Sequence, residues 1–200
     1  MRHPYSTNSE ERKMVPLYLG ALSILLSWAL TAFFETIHWM PPLYVDVASV
    51  MLLYGLVYEV FDRVAWKWKW LRRLGAVSSP KLEGTWRGSV WSNYDGENAI
   101  SRELSVEVII KQDWTHIEIR LRGPSSHSRS LSASMVVTED DCILIYEYLN
   151  EPNHDAVDTM QMHRGTARLE LTGDDELQGD YYTGRGRRNT GGMKLQRIRS

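Results

Sequence analysis

The sequence predicts two architectures in series, an N-terminal two-helix transmembrane hairpin and an all-β domain built as an eight-stranded antiparallel meander barrel. Three observations predict them. Two apolar runs, Met14–Phe34 and Leu43–Phe61, stand close together near the N-terminus. From Lys81 onward the apolar period changes from helical to two, in short runs divided by turn-forming residues. Between the two patterns lies Trp66-Lys-Trp-Lys-Trp-Leu-Arg-Arg73, which alternates tryptophan with base as interfacial segments do.

A helix needs roughly 20 mostly apolar residues to cross the hydrocarbon core; the first run has 21 and the second 19. Lipid offers no hydrogen-bond partner to a backbone amide, which leaves helices, at about 14–34 and 43–64, as the reading of a 14–65 hairpin. The connector Glu35–Pro42 is short, so the helices run antiparallel. A signal peptide is disfavoured because Thr31-Ala-Phe-Phe34 is a poor cleavage site and a second apolar run follows at once. Arg2, Arg12 and Lys13 precede the first helix; Arg63, Lys67, Lys69, Arg72 and Arg73 follow the second; the connector has neither Lys nor Arg. The positive-inside rule therefore puts both termini, and everything after residue 80, in the cytoplasm. Residues 1–13 read as a polar cytoplasmic tail, unstructured or lying at the headgroups. Asp46 and Glu59, near opposite ends of the second run, are placed to reach headgroups.

Residues 66–80 form a linker: the Trp/basic stretch anchors at an anionic interface, and Gly75–Pro80 is a short spacer. Residues 1–80 carry 8 basic and 6 acidic side chains (+2) and residues 81–200 carry 15 and 19 (−4), which sums to the overall −2. A net acidic soluble half argues against binding long nucleic acid. The single cysteine, Cys142, lies in an apolar strand and suits a reducing compartment; it reads as a small core residue rather than a catalytic thiol.

Strands are expected at about 82–92, 101–111, 114–122, 128–137, 142–149, 158–171, 177–184 and 192–199 of the 81–200 domain, joined by turns such as Gly123-Pro124 and Gly173-Asp-Asp175. An antiparallel meander of this length removes its edges most easily by closing, and eight strands leave room for one small ligand; a two-sheet sandwich is the runner-up. Leu82, Gly84, Trp86 and Gly88 share one face of the first strand, so that Trp86 would plug the narrow end of a barrel. Leu-x-Gly-x-Trp is also how lipocalin-like barrels open, and the closed form expected here is lipocalin-like.

Parity names the interior. Leu144, Tyr146, Tyr148 and Asn150 share a face, as do Gln161, His163 and Gly165, and Leu177, Gly179, Tyr181, Thr183 and Arg185. If these faces point inward, the lumen passes from apolar to polar and aromatic, with rings to stack a base, an amide and hydroxyls to read its edge, and arginine for a phosphate; ordinary half-buried strand tyrosines are the alternative. The loop Gly184-Arg-Gly-Arg-Arg-Asn-Thr-Gly-Gly192, which includes Arg185 and Arg187, suits an anion or is simply an exposed hairpin turn. No nucleophile elbow, Walker loop or zinc-protease helix is present, and the histidines lack a second ligand at metal spacing apart from a loose His154, Asp155, Asp158 group; no enzyme, metal or cofactor is expected.

The order of two membrane helices, a basic tryptophan linker, Leu82-Glu-Gly-Thr-Trp-Arg-Gly88, Tyr146-Glu-Tyr-Leu-Asn-Glu-Pro152, His163-Arg-Gly165, Leu177-Gln-Gly-Asp-Tyr-Tyr-Thr-Gly-Arg185 and Gly191-Gly-Met-Lys-Leu195 resembles the two-transmembrane, β-strand-rich effectors of bacterial CBASS anti-phage systems. The resemblance implies a cytoplasmic barrel on the inner membrane that binds an activating cyclic dinucleotide from a cognate nucleotidyltransferase. Binding would promote homo-oligomerisation of the membrane helices and disruption of the bilayer, an abortive infection. The ligand contacts expected are Tyr146, Tyr148, Asn150, His163, Tyr181, Thr183, Arg185 and Arg187. A membrane-tethered carrier or sensor of a hydrophobic small molecule is the competing expectation.

Overall fold

The structure is a computed structural model and describes residues 2–37, 43–92, 103–138, 141–157, 160–184 and 189–198. The chain divides into two compact units, residues 9–78 and residues 1–8 with 79–200.

The helical unit holds α1 (Glu11–Thr36), α2 (Leu43–Arg63), a single 3-10 turn (Ala65–Lys67) and the short α3 (Lys69–Arg73). By length and composition α1 suffices to cross a membrane. It packs on α2 along a strict i, i+4 stripe of Val15, Leu19, Ser23 and Ser27. Short serines let the helices approach, and Ser23 Oγ is satisfied within its own helix, donating to the Leu19 carbonyl at 2.7 Å. The rest of α1, including Leu17, Tyr18, Ile24, Leu25, Trp28 and Phe33, faces outward. A helix apolar on nearly every side finds its natural solvent in lipid. Glu59 pairs with Arg63 one turn away; the side chain of Asp46 lies outside the described residues.

The second unit is a closed ring of nine strands, not eight: β1 (His3–Thr7), β2 (Gly84–Ser92), β3 (Leu104–Gln112), β4 (His116–Arg122), β5 (Ser126–Val137), β6 (Cys142–Pro152), β7 (His163–Thr172), β8 (Glu176–Thr183) and β9 (Thr190–Arg197). Strands β2 to β9 form the expected antiparallel meander, and β9 pairs back onto β2 from Trp86↔Arg197 to Ser92↔Gly191. The strand expected at 158–171 is β7, which begins at His163; a 3-10 turn at His154–Ala156 lies between β6 and it.

The ninth strand comes from the segment read as a tail. Strands β4 and β5 pair directly only at Arg120↔Arg129, Leu121↔Ser128 and Arg122↔His127. A bulge between Ser130 and Ser132 then bends β5 away, which would leave two facing edges unpaired. β1 fills that seam, antiparallel to β4 (His3↔Ile117, Pro4↔His116) and parallel to β5 (Tyr5↔Ala133, Ser6↔Ser134, Thr7↔Met135). At the bend, Ser130 Oγ accepts the Ile119 amide at 3.0 Å and lies 2.7 Å from His3 Nε2. Tyr5 enters the core, and the Asn8 side chain exchanges two hydrogen bonds with the Val137 backbone, at 3.0 and 2.8 Å. The N-terminal reading is corrected on these residues: His3–Thr7 is a wall of the ring.

One end of the lumen is plugged. Trp86 is fully buried on the inner face of β2, and its indole N–H donates to the Leu82 carbonyl at 3.0 Å. The Arg197 guanidinium lies 4.2 Å from the ring centroid of Trp86 and donates to the Glu83, Lys81 and Asp174 carbonyls. Gln112 accepts the Leu82 amide at 2.7 Å and donates to the Pro80 carbonyl at 3.1 Å and to the Tyr5 hydroxyl at 3.4 Å. A Cβ on Gly88 would lie 1.9 Å from the Lys194 carbonyl, so only glycine lets β2 and β9 cross so closely here.

Candidate functional site

Inward parity decides what the lumen contains, and the burial pattern of each strand follows the expected alternation. Along β6, Leu144, Tyr146, Tyr148 and Asn150 are buried while Ile145, Glu147 and Leu149 between them are only partly so. The apolar part of the core, with Val108, Ile110, Ile117, Leu169, Leu177 and Leu195, lies toward the plug. Towards the other end, where β2 ends at Ser92, β6 at Pro152 and β8 at Thr183, the inner face becomes aromatic and polar.

Three successive rungs carry this change. In the first, Tyr146 lies beside Ala167 on β7, then Tyr181 on β8, Gly191 on β9 and Ser92 on β2. In the second, Tyr148 lies beside Gly165 and Thr183, with Ser130 on its other side. In the third, Asn150 stands between Ser128 and His163. Six of the eight expected contacts, Tyr146, Tyr148, Asn150, His163, Tyr181 and Thr183, therefore gather on adjoining rungs of β6, β7 and β8. Arg185 and Arg187 lie outside the described residues.

Glycines shape the wall. A Cβ on Gly165 would sit 2.3 Å from the Tyr148 hydroxyl, and one on Gly191 would sit 2.6 Å from Tyr181 Cε1. Each tyrosine thus lies flat over the strand beside it, in space that any side chain there would fill. The rings of Tyr146 and Tyr148 are 6.1 Å apart and tilted by 53°, which leaves their faces at different angles to the lumen.

The polar groups differ in how engaged they are. Thr183 Oγ1 accepts the Asn189 amide at 2.8 Å and donates to the Asn189 carbonyl at 3.2 Å, which ties the end of β8 to the residue before β9. His163 Nδ1 is 2.9 Å from the Gln161 carbonyl. Among the described residues, the Asn150 amide donates to Met160 Sδ at 3.4 Å, a weak acceptor. Tyr146 is 3 % exposed, and burial pushes its phenol well above the ordinary tyrosine range. It stays neutral at physiological pH, a donor and acceptor rather than an anion. Parity also identifies two inner-face serines that the sequence reading passed over, Ser92 and Ser128; they sit at strand ends, where alternation carries the least signal.

A second feature lies in the helical unit. Trp68, Lys69, Trp70 and Arg73 line an open depression of about 570 Å³, with the two indoles 6.0 Å apart. Among the described residues, no group of three His, Cys, Asp or Glu side chains is placed to hold a metal ion.

Comparison with known proteins matches both units. Residues 77–197 match the family model for the Cap15 cyclic dinucleotide receptor domain, and residues 13–67 match the model for the Cap15 TM helices. Curated relatives called CD-NTase-associated protein 15 include one from Yersinia aleksiciae, 28% identical over 190 residues, 92% of this chain and 88% of that protein. Another, from Staphylococcus schleiferi, is 29% identical over 157 residues, 78% and 81% of the two chains. A third, from Escherichia albertii, is 24% identical over 133 residues, 65% and 66%.

Proposed function

Because the chain belongs to the Cap15 family of CBASS effectors, with a cyclic dinucleotide receptor domain and transmembrane helices, we propose that its ring binds a cyclic dinucleotide at the polar end of the lumen. The observation that carries this placement is the three adjoining rungs of Tyr146, Tyr148, Asn150, His163, Tyr181 and Thr183. Tyrosine faces stack a base whatever its identity, and the hydroxyls and the Asn150 amide read its edge. Arg185 and Arg187, which the sequence places beyond Thr183, supply charge to the two phosphates. A carrier of hydrophobic molecules needs an apolar lumen throughout, and the polar rungs disfavour it.

The ligand comes from a partner nucleotidyltransferase. The protein itself is a receptor rather than an enzyme, fixed in the bacterial inner membrane by a two-helix hairpin, with the ring and both termini cytoplasmic. The depression at Trp68, Lys69, Trp70 and Arg73 meets the lipid headgroups. Ligand shifts the protein toward an assembled state only by binding that state more tightly. Assembly then brings several hairpins together, and the bilayer is disrupted.

The test is calorimetric titration of the full chain, in detergent or nanodiscs, with a panel of cyclic dinucleotides. A fragment starting near residue 76 is unsuitable because it lacks β1. Micromolar or tighter binding, lost in Arg185→Ala and accompanied by a larger particle in size-exclusion light scattering, is the expected result. A folded chain that binds no member of the panel refutes the receptor reading, and an unchanged particle size refutes the assembly step.

A further inference from the structure

Among the described residues of the ring, Ser92 Oγ stands out as a buried side-chain oxygen with no hydrogen-bond partner. Buried hydroxyls in folded proteins are nearly always paired, because leaving one unpaired forfeits its water without return. Ser92 ends β2 on the inner face, two residues beyond Val90 and opposite Gly191. Gly191 in turn stands opposite Tyr181, on the rung that Tyr146 begins. Since Gly191 has no side chain, nothing on β9 separates Tyr181 from Ser92, and the Tyr181 ring lies over the glycine. The two residues are two strand spacings apart, roughly 9.6 Å between their backbones, and the Tyr181 ring reaches over Gly191 towards Ser92, so that a base stacked on that ring brings its edge to the serine. On the same rung Tyr146 is buried with its neutral phenol.

We propose that Ser92 is a ligand-contacting, specificity-determining residue: its hydroxyl hydrogen-bonds the edge of the base that stacks on Tyr181, so that the ligand spans the lumen from β8 to β2. This rests on the reading that the ring binds a cyclic dinucleotide, and it adds a wall that reasoning from β6, β7 and β8 alone does not reach. The ligand-free fold tolerates an unpaired hydroxyl here because the ligand completes it. A serine hydroxyl both donates and accepts, so its selectivity comes from position: it reads whichever edge group the stacked base brings to it.

The experiment compares wild type, Ser92→Ala and Ser89→Ala as full chains in detergent, with Ser89→Ala as a control on the opposite face of the same strand. Each is titrated with the cyclic dinucleotide panel and with analogues whose base lacks one exocyclic group, and each is melted without ligand. The expected result is that Ser92→Ala binds the preferred ligand at least tenfold more weakly, Ser89→Ala binds it as wild type does, and one edge-deleted analogue no longer distinguishes wild type from Ser92→Ala. Ligand-free Ser92→Ala melts at the same or a higher temperature, since it loses an unpaired group. Wild-type affinity in Ser92→Ala, or a clear fall in its ligand-free melting temperature, overturns the proposal while leaving the receptor reading intact. Failure of wild type itself to bind any panel member overturns the receptor reading, and the Ser92 assignment with it.

Discussion

The two ends of the ring are built from the same eight-strand meander and solve opposite problems. At the plugged end the large polar side chains are answered by protein: Gln112 holds an amide, a carbonyl and a phenol, the Trp86 N–H has its carbonyl, and Arg197 combines a cation–π contact with three carbonyls. At the mouth, among the described residues, Ser92 Oγ has no partner, Asn150 donates to a thioether, and glycines stand where side chains would fill the space. Satisfied networks rigidify, and unsatisfied ones are retained where something else completes them. The difference fits the proposal made above, in which one end serves folding and the other serves recognition.

The sharpest way to break that comparison is Trp86→Ala. Removing a fully buried indole, its hydrogen bond and the platform under Arg197 costs about 3–5 kcal/mol. Thermal or denaturant unfolding of the full chain should show most of the ring's stability gone, while any protein that remains folded keeps near-native ligand affinity. Affinity falling in step with an otherwise intact fold would mean that the two ends are not separable.

Next in size is removal of residues 1–8. The ring loses the buried Tyr5, the two bonds of Asn8 and the seam strand itself, which together amount to about 2–4 kcal/mol. It also bares the unpaired edge of β5 beyond its bulge, so the truncated protein should aggregate on warming and lose amide protection at Ser132–Val137 in hydrogen exchange. Native protection there would show that β4 and β5 can close without β1.

That strand also marks where the sequence stops being legible. The helices were readable because an apolar run of about 20 residues has few other uses, and strands β2 to β9 because their alternation puts one face inside. Trp86 could be placed at the plug from its glycine neighbours, and Tyr146, Tyr148 and Asn150 could be assigned inward from parity alone; their burial agrees. β1 buries one side chain in five residues, Tyr5 of His3-Pro-Tyr-Ser-Thr7. It is a strand only because a bulge more than 120 residues away opens a seam of its width, and no local pattern encodes that. Gln112 was recoverable, since it continues the period of Val106, Val108 and Ile110, but a polar residue on an apolar face reads as the strand's end. Ser92 was hidden for the same reason: at a strand terminus, a serine is an ordinary turn residue until the ring is closed around it.

At the mouth, Gly165→Ala sharpens the contrast from the other side. A Cβ there meets the Tyr148 hydroxyl at 2.3 Å and the Tyr182 carbonyl at 2.5 Å, so the ring must swing into the lumen and the strands must give slightly. Overpacking of this kind costs about 1–3 kcal/mol, less than Trp86→Ala. Ligand affinity should nevertheless fall at least tenfold, because the displaced tyrosine occupies the ligand's space. Calorimetry together with melting curves reads both quantities, and a stability loss without an affinity loss would remove Tyr148 from the site.

The smallest effect expected lies at the plugged end and is set by pH. Cys142 pairs with Val137 and Leu171 at the start of β6 and is 7 % exposed, and burial pushes its thiol from 9.0 to about 11. A folded-state value above the unfolded one means that the folded protein holds a proton the unfolded chain releases. The contribution is therefore complete below pH 9 and is lost as pH rises from about 9 to about 11. Melting temperature should decline over that window, and alkylation of the folded protein by iodoacetamide should stay slow at pH 8, where the thiolate is scarce. Tyr146 titrates in the same direction for the same reason, so the measurement is cleanest in Tyr146→Phe, with Cys142→Ala in that background flattening what remains of the slope. If the slope persists in the double variant, the alkaline sensitivity belongs to groups outside the plugged end, and the thiol is better solvated than its burial implies.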